Sequence, residues 1–484
     1  MIAWKDVSFT YSGQDADGLQ HVNLSISPGE CVLFCGRSGC GKTTMLRLVN
    51  GLIPSFFSGE GDGGAYLDGQ DCSEIPMYRL AERVGSVFQN PRTQFFNVDT
   101  DSEIAFGLEN LALPPAALAQ RVEQTARELD IEALRGRSIF ALSGGEKQKI
   151  AFASVYAMNP DVYLLDEPSS NLDMDAILAL REHLKLIKTQ GKTILIAEHR
   201  LYYLMELVDR IVYLERGQIK EIFTPKELAA LSQEKRASMG LRTVDLDQLR
   251  PQKQAEHAQA PMLELKNVKL SYQKKTVLEN ICLQASPGEI IAVVGHNGTG
   301  KTTFSRALCG LHKGCEGEFL WGGKPINARD RRNRSYLVMQ DVGYQLFAES
   351  VEKECVFGIK NPDAALAERT LAELDLFSFR EKHPNTLSGG QKQRLAVAVS
   401  MVCGKDILVF DEPTSGLDYD SMIRVAALME RLAKQGGIVF VVTHDYELVC
   451  RACTRVVHFD EGEMPDDLPV TVENEGKIRD LFGL

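Results

Sequence analysis

One glycine-rich pattern occurs twice in this chain of 484 residues, and its repetition constrains the fold more than any other feature. Gly-x-x-x-x-Gly-Lys-Thr covers residues 36–43 and returns at residues 295–302. A second block, residues 142–199, pairs with residues 387–444 at a constant spacing. Long blocks that recur in the same order indicate two copies of one domain joined in tandem.

The segment between the copies has a different composition. Residues 225–261 are rich in Gln, Lys, Glu and Ala and contain few large apolar side chains after Leu249, which is typical of a short helix followed by a solvated linker. We predict a first domain at residues 1–224, a helix and linker at 225–261, and a second domain at 262–484. Within each copy, short β-branched runs ending in Gly or Asp alternate with helical stretches, which predicts an α/β fold of parallel strands and crossover helices.

Each glycine-rich pattern follows a strand-like run and begins a helix-like one, the context that a phosphate-binding loop requires. Glycines let backbone N–H groups wrap nucleotide phosphates, and the helix N-terminus adds partial positive charge. We expect Lys42 and Lys301 to neutralise the β- and γ-phosphates. Thr43 and Thr302 would supply a hydroxyl to Mg²⁺. The predicted binding residues are Gly36, Ser38, Gly39, Cys40, Gly41, Lys42, Thr43 and Thr44 in the first loop and Gly295, Asn297, Gly298, Thr299, Gly300, Lys301, Thr302 and Thr303 in the second.

Cys40 lies inside the first loop, at the position that Thr299 takes in the second. The ammonium of Lys42 and the helix N-terminus would favour its thiolate, which would make Cys40 the thiol whose alkylation most affects activity. The alternative is a thiol packed beneath the loop and inert.

A pair of carboxylates ends an apolar strand-like run in each copy, in Val162-Tyr-Leu-Leu-Asp-Glu-Pro168 and Ile407-Leu-Val-Phe-Asp-Glu-Pro413. Asp166 and Asp411 would hold Mg²⁺ through water. Glu167 and Glu412 are placed to polarise the attacking water, which every phosphoryl-hydrolysing site needs. Alone, the motif also fits a solvated strand end with a helix cap. Beside a phosphate loop, the catalytic interpretation is favoured.

A third motif precedes a helix in both copies, as Leu142-Ser-Gly-Gly-Glu-Lys-Gln and Leu387-Ser-Gly-Gly-Gln-Lys-Gln. With the phosphate loop upstream and the acidic strand downstream, the chain resembles the ATP-binding cassette (ABC) ATPases over essentially its whole length. The resemblance implies two tandem ABC nucleotide-binding domains, each with a parallel-sheet core, an antiparallel β subdomain and a helical signature subdomain. In that family the signature residues complete the ATP site of the opposite domain, which implies a head-to-tail domain pair. The residues are Ser143, Gly144, Gly145, Ser388, Gly389 and Gly390.

The resemblance carries further roles onto matching positions. It implies ATP and Mg²⁺ as cofactors, tyrosines that stack on adenine, glutamines that sense magnesium and water, histidines at the γ-phosphate, and aspartates in the loop that couples the sites. In that order, these residues are Tyr11 and Tyr272, Gln89 and Gln340, His199 and His444, and Asp173 and Asp418. Each tyrosine also fits an ordinary strand position. The flanks of the histidines differ, Glu198 and Arg200 against Thr443 and Asp445, which leaves the equality of the sites open.

Composition and charge exclude several classes of protein. The net charge of −12 has the wrong sign for a chain that covers nucleic acid, so we expect no nucleic-acid partner. The longest apolar runs are far shorter than the ~20 residues of a membrane-spanning helix. The N-terminus lacks an export signal, and the scattered cysteines fit reduced thiols. The Cys450-x-x-Cys453 pair has no second pair at zinc-ligand spacing.

Among cassette proteins, the segments after the two glutamines resemble the energy-coupling-factor and cobalt-type importer ATPases. The resemblance implies an ATPase that powers uptake of a vitamin or other micronutrient. Its partners would be an integral-membrane scaffold subunit and a substrate-binding membrane subunit, with the chain peripheral at the cytoplasmic face of the cell membrane. Phe95-Phe96 and Leu346-Phe347 would be the anchors on the scaffold. The alternative is that they belong to the domain cores.

A soluble tandem-cassette translation factor is the competing interpretation. Such factors resemble this chain in layout but carry a long charged linker, and a ribosome-binding protein should present a substantial basic surface. The linker here is short and the chain is acidic. A DNA-repair cassette protein should carry zinc-ligand cysteine pairs, which are missing, and tandem sugar-importer ATPases usually have a degraded second copy.

Overall fold

The structure is a computed structural model that describes residues 1–13, 18–170, 172–251, 260–272 and 275–484. The chain forms two compact units, Met1–Asp245 with Asp418–Asp420, and Leu246–Leu417 with Ser421–Leu484.

The first copy contains two sheets and the helices that cover them. Its strands are β1 (Ile2–Tyr11), β2 (Gly18–Ile26), β3 (Cys31–Cys35), β4 (Gly59–Leu67), β5 (Gln70–Asp71), β6 (Val84–Val87), β7 (Val162–Asp166), β8 (Thr193–Ala197), β9 (Arg210–Glu215) and β10 (Gln218–Phe223). Its helices are α1 (Lys42–Val49), α2 (Leu52–Ser55), α3 (Met77–Arg83), α4 (Thr100–Asn110), α5 (Pro115–Glu128), α6 (Gly144–Met158), α7 (Met174–Thr189), α8 (Pro225–Ala230) and α9 (Gln233–Ser238).

The second copy repeats the order of the strands. Its strands are β11 (Leu263–Tyr272), β12 (Lys275–Ala285), β13 (Ile290–Val294), β14 (Cys315–Trp321), β15 (Lys324–Pro325), β16 (Ser335–Val338), β17 (Ile407–Asp411), β18 (Ile438–Val442), β19 (Arg455–Asp460) and β20 (Glu463–Pro469). Its helices are α10 (Lys301–Leu308), α11 (Ala328–Arg334), α12 (Val351–Val356), α13 (Ala364–Glu373), α14 (Gly389–Val402), α15 (Tyr419–Lys434), α16 (Tyr446–Ala452) and α17 (Glu475–Asp480).

The sheet order is the same in both copies. The larger sheets run β10-β9-β3-β8-β7-β6 and β16-β17-β18-β13-β19-β20, and the smaller antiparallel sheets run β2-β1-β4-β5 and β12-β11-β14-β15. The inner strands of each larger sheet are parallel, and only the β9–β10 and β19–β20 pairs in them are antiparallel. The predicted α/β class, with a parallel core, an antiparallel sheet and a helical layer, is confirmed in both copies.

The central strands are buried on both faces, which explains their continuous apolar sequences. Every residue of β3 is buried, and so is every residue of β13. Two core layers flank β3. Trp4 and Phe34 meet edge to face at 5.9 Å on one side of the sheet, and Phe152 and Tyr156 of α6 pack on the other.

The segment after the first copy carries buried side chains. Leu228, Met239, Leu241 and Val244 pack into the core that contains α6, so α8 and α9 are part of the first unit. Most of the predicted solvated linker, residues 252–259, lies outside the described residues, and the predicted domain boundaries stay a prediction. Within the described ranges, no helix has both the length and the apolar character needed to cross a lipid bilayer.

Candidate nucleotide sites

Both phosphate loops have the backbone that only glycine adopts easily. Gly36 has φ 140°, and a Cβ there would lie 2.2 Å from the carbonyl oxygen of Leu214. Gly295 has φ 139°, with the carbonyl oxygen of Phe459 at the same 2.2 Å. The loops are therefore the same structure built twice, each leading from a central strand into the first turn of a helix.

The two loop lysines are buried and fold back over their own loops. Lys42 Nζ donates to the carbonyl oxygens of Gly36 (3.1 Å) and Arg37 (3.2 Å). Lys301 Nζ donates to the carbonyl oxygen of Gly295 at 2.6 Å. Burial lowers the pKa of Lys42, but Cys40 and the carboxylates of Glu167 and Asp166 outweigh burial and raise it. The ammonium is therefore charged where phosphates would bind.

The predicted magnesium ligands meet as hydroxyl–carboxylate pairs. Thr43 Oγ1 donates to Asp166 Oδ1 at 3.0 Å, and Thr302 Oγ1 donates to Asp411 Oδ2 at 3.2 Å. Burial, followed by the charge of Glu167, raises the pKa of Asp166 to about 6, and burial raises the pKa of Asp411. Two hard oxygen donors beside a phosphate loop fit Mg²⁺, which binds few protein ligands and keeps several waters.

The second carboxylate of each pair lies on a strained turn. Glu167 has φ 47° and Glu412 has φ 50°, a left-handed conformation that a residue with a side chain keeps only when its surroundings enforce it. Gln89 Nε2 donates to Glu167 Oε2 at 2.6 Å. Gln340 follows β16 at the equivalent place in the second copy. In the first copy, two of the predicted catalytic side chains therefore meet, and their role toward an attacking water stays a prediction.

A histidine contacts each of these glutamates. His199 Nε2 lies 3.4 Å from Glu167 Oε1 and 3.3 Å from Lys42 Nζ, and His444 Nε2 lies 3.5 Å from Glu412 Oε1. One ring nitrogen can donate to the glutamate or accept from the lysine, so the tautomer decides which bond forms. Burial raises the pKa of Glu167, but the hydrogen bond and charge of His199 and the charge of Lys42 together outweigh burial, so this pKa ends below its ordinary value. The carboxylate is ionised at neutral pH, as a general base must be.

The two predicted adenine-stacking tyrosines are in different surroundings. The Tyr11 hydroxyl lies 3.1 Å from Thr44 Oγ1 and accepts a hydrogen bond from Arg47 at 3.1 Å. Tyr272 is 58% exposed. The sequence did not single out Arg47, whose guanidinium lies 3.9 Å from the centre of the Phe57 ring. Stacking of adenine on either tyrosine stays a prediction.

The signature serines cap their helices. Ser143 accepts from Glu146 N and Ser388 accepts from Gln391 N, both at 3.3 Å, and each forms a reciprocal capping box. This leaves Gly144, Gly145, Gly389 and Gly390 in the first turns of α6 and α14. Asp173 caps α7, with its side chain accepting from Ala176 N at 3.0 Å, and Asp418 directly precedes α15. The head-to-tail pairing of signature and phosphate loop stays a prediction.

A buried glutamate holds the segment after each site glutamine. Glu103 Oε2 accepts from the backbone N–H groups of Phe96 (3.0 Å) and Asn97 (2.8 Å). Glu354 Oε2 accepts from those of Phe347 (2.8 Å) and Ala348 (2.6 Å). Each copy therefore presents one phenylalanine on a fixed backbone, with Phe96 74% and Phe347 70% exposed.

Of the other two predicted anchors, one is buried and one is partly buried. Leu346 is 4% exposed, so its assignment as an anchor is wrong and the core alternative holds there. Phe95 is partly buried against the core of its own unit. The sequence pattern could not separate these neighbours, because adjacent residues in an irregular segment point in directions that no period predicts.

An apolar groove of about 240 Å³ lies beside Phe96. Phe96 stacks on Phe106 at 4.8 Å, and Leu52, Phe88 and Met158 also line the groove. Phe106 is a contribution that spacing alone did not reveal. The groove lies close to the nucleotide site, since Phe88 directly precedes Gln89.

Comparison with known proteins identifies the family. The ABC transporter family model matches residues 19–170 and again 278–415. A putative ABC transporter ATP-binding protein of Treponema denticola is 49% identical over 482 residues, covering 98% of each chain, and a second from the same organism is 41% identical over 96% of each. An archaeal ribosome recycling factor, solved with a ribosomal stalk protein, is similar with a TM-score of 0.66 at 22% identity, covering 96% of this chain and 90% of its own. That identity shows a shared fold alone.

Proposed function

Because this chain belongs to the ABC transporter family and carries two ABC ATPase domains, we propose that it is the motor subunit of an energy-coupling-factor type importer. It would bind an integral-membrane scaffold subunit at the cytoplasmic face of the membrane. A separate membrane subunit would bind the cargo, a vitamin or related micronutrient. The observation that carries the proposal is the apolar groove that begins one residue before Gln89.

The proposed reaction is hydrolysis of ATP at both sites. Lys42 and Lys301 hold the phosphates, and the Thr43–Asp166 and Thr302–Asp411 pairs would hold Mg²⁺, which neutralises charge on the β- and γ-phosphates when bound. Glu167 and Glu412 take the proton of the attacking water. His199 and His444, each in contact with one of these carboxylates, would orient the γ-phosphate.

The groove is suited to an amphipathic helix of the scaffold subunit. Its lining is mostly apolar with a few polar side chains such as Asn50 and Gln94, and Phe96 stands beside it with three-quarters of its surface exposed. An exposed aromatic side chain on a rigid backbone is a typical anchor residue, because little side-chain entropy is lost on binding. The backbone N–H of Phe96 donates a hydrogen bond to buried Glu103. Movement of a docked helix would therefore be transmitted to the segment that follows Gln89.

The test combines one variant with a matched control. Phe96→Ala and Phe347→Ala together should weaken sedimentation of the chain with membranes from cells expressing the scaffold subunit at least tenfold. The basal ATPase rate of the isolated chain should stay within twofold. Ile222→Ala is the control: Ile222 is 45% exposed in β10, at the opposite sheet edge from β6 and the groove.

Two results would overturn the proposal. Unchanged sedimentation of the double variant would reject the groove as the docking surface. Sedimentation of the parent chain with ribosomes rather than with membranes would favour the translation-factor alternative.

A further inference from the structure

A buried carboxylate lies next to His199 in the first site. Glu198 is 2% exposed and accepts hydrogen bonds from His199 N (2.8 Å), Tyr203 Oη (2.9 Å) and Ser169 N (3.2 Å), and also from Ser169 Oγ. Burial and the neighbouring Glu198 raise the pKa of Tyr203 well above its ordinary value, so the phenol keeps the proton that it donates. Four donors converge on this one carboxylate.

Arg200, on the other side of His199, binds the same loop. It is 7% exposed, and its Nη1 donates to the carbonyl oxygens of Ser169 and Leu172 at 3.3 Å each. Glu198 and Arg200 therefore connect the histidine to the loop that begins two residues after Glu167. Both ends of this connection are buried and hydrogen-bonded. The connection therefore holds His199 at a fixed distance from Glu167.

The second site uses a different carboxylate for the same connection. Thr414 stands where the first copy has Ser169, and its Oγ1 donates to Asp445 Oδ2 at 2.7 Å. Asp445 also receives Leu448 N at 3.3 Å as the cap of α16, and its own N–H donates to Thr443 Oγ1 at 3.0 Å. In the first copy the carboxylate precedes the histidine, and in the second it follows the histidine.

We propose that Glu198 is a positioning residue for His199, and that the two copies place the carboxylate of this connection on opposite sides of the histidine, at residue 198 in the first and at residue 445 in the second. The proposal rests on the proposed roles of His199 and Glu167 and adds one residue to them. Glu198 acts through the backbone of His199 and the hydroxyl of Ser169.

The geometry makes this connection sensitive. His199 Nε2 is 3.3–3.4 Å from both Lys42 and Glu167, so the ring has no room to move without leaving one of them. A displacement of about 1 Å in such a site can reduce the rate about 100-fold. In Glu198→Gln, a side-chain NH₂ group would face at least one N–H or O–H donor in place of an acceptor oxygen. At least one hydrogen bond between Glu198 and its neighbours would therefore be lost.

The test uses chains in which only one site turns over. In a Glu412→Gln background, Glu198→Gln should lower kcat at least tenfold, with KM for ATP and the melting temperature close to those of the background chain. In a Glu167→Gln background, the same substitution should leave kcat within twofold. Each rate is compared with its own background, so coupling between the sites does not enter the ratio.

Transplanting the second arrangement into the first site gives an independent readout. Ser169→Thr, Glu198→Thr and Arg200→Asp together rebuild the Thr414–Thr443–Asp445 set around His199. The triple variant should recover kcat to within threefold of the Glu412→Gln chain.

Three outcomes separate the hypotheses. If Glu198→Gln turns over as fast as its Glu412→Gln background chain, the positioning role is rejected and the proposed catalytic site is not. If Glu198→Gln weakens ATP binding and lowers the melting temperature together, and the transplant does not restore them, Glu198 has a structural role. That result also rejects the positioning role. Turnover at the parental rate by a Glu167→Gln, Glu412→Gln chain rejects the proposed catalytic site itself.

Discussion

The two nucleotide sites of this chain share their reacting groups and differ in what holds those groups. Phosphate loop, threonine–aspartate pair and strained glutamate have matching backbone geometry in both copies. Behind the histidine, Glu198 supports the first site and Asp445 the second. Groups that meet phosphate or water must occupy fixed points, whereas a supporting carboxylate only has to reach the hydroxyl of residue 169 or 414.

The flanking structure fits the different positions of the two carboxylates. In the second copy Asp445 begins α16 as its cap. In the first copy only a three-residue 3₁₀ turn, Tyr202–Leu204, follows the histidine, so no helix there needs an aspartate cap. Residue 200 therefore has no helix to cap, and Arg200 instead donates to the carbonyl oxygens of the preceding loop.

The largest effect that tests this comparison is expected at the glutamates. Glu167→Gln and Glu412→Gln together should reduce ATP turnover at least 100-fold while ATP remains bound, because an amide cannot accept the proton of the attacking water. Each single variant then measures the share of its partner site. A ratio of the two single-variant rates near one would show that the different supports are functionally equivalent.

If the double variant hydrolyses ATP at the parental rate, neither glutamate is the base. Retention of ATP by the same chain, measured by equilibrium binding, controls against loss of folding.

The second effect concerns the paired segments after Gln89 and Gln340. Leu346→Ala should lower the free energy of unfolding of its unit by about 2–5 kcal/mol, since Leu346 is buried, whereas Phe347→Ala should change it by less than about 0.5 kcal/mol. Thermal melting of the two variants side by side measures the difference. Equal melting temperatures would contradict the division into one core residue and one anchor.

Much of each site could be predicted because its signals are local in sequence. The phosphate loops and the carboxylates at 166–167 are contiguous motifs, and the constant spacing of the repeat located His199 and His444. The Glu198–Ser169 bond was not predictable, because it joins residues 29 apart through side chains common on any surface. Such contacts depend on how two loops approach each other, which periodicity does not encode.

The third effect is a pH dependence of magnesium binding. Mg²⁺ binds ionised Asp166, so below its pKa of about 6 protons compete with the metal, and affinity should fall up to tenfold per pH unit. The folding stability of the metal-free chain depends on pH in the opposite direction. Because the pKa of Asp166 is raised in the folded state, this group stabilises the folded chain at low pH, and the stabilisation is lost as pH rises through about 6.

The Mg²⁺ concentration that half-saturates binding of a non-hydrolysable ATP analogue, measured between pH 5 and pH 8 in the parent chain, checks this prediction, because the parent chain keeps the charge of Glu167 that helps to raise the pKa of Asp166. Asp166→Asn should remove the pH dependence that the first site contributes and leave the pH dependence that Asp411 contributes in the second site. A half-saturating concentration that is the same at pH 5 and pH 7 would contradict it.

The smallest effect is expected at Cys40, which stands where the second phosphate loop has Thr299. Its side chain is 3% exposed and packs into the core beside α1, with Lys42 Nζ 3.9 Å from its sulfur. Access therefore limits its reactivity whatever the nearby charge does, and the structure favours the inert thiol over the alkylation-sensitive one. With a bulky maleimide, exposed Cys282 should react first, and ATPase activity should be unchanged when it has reacted. Cys282→Ser is the control and should abolish this fast labelling. Rapid modification of Cys40, with activity lost and ATP protecting it, would show instead that the first loop opens far more readily than its packing implies and that the two loops differ in mobility as well as in composition.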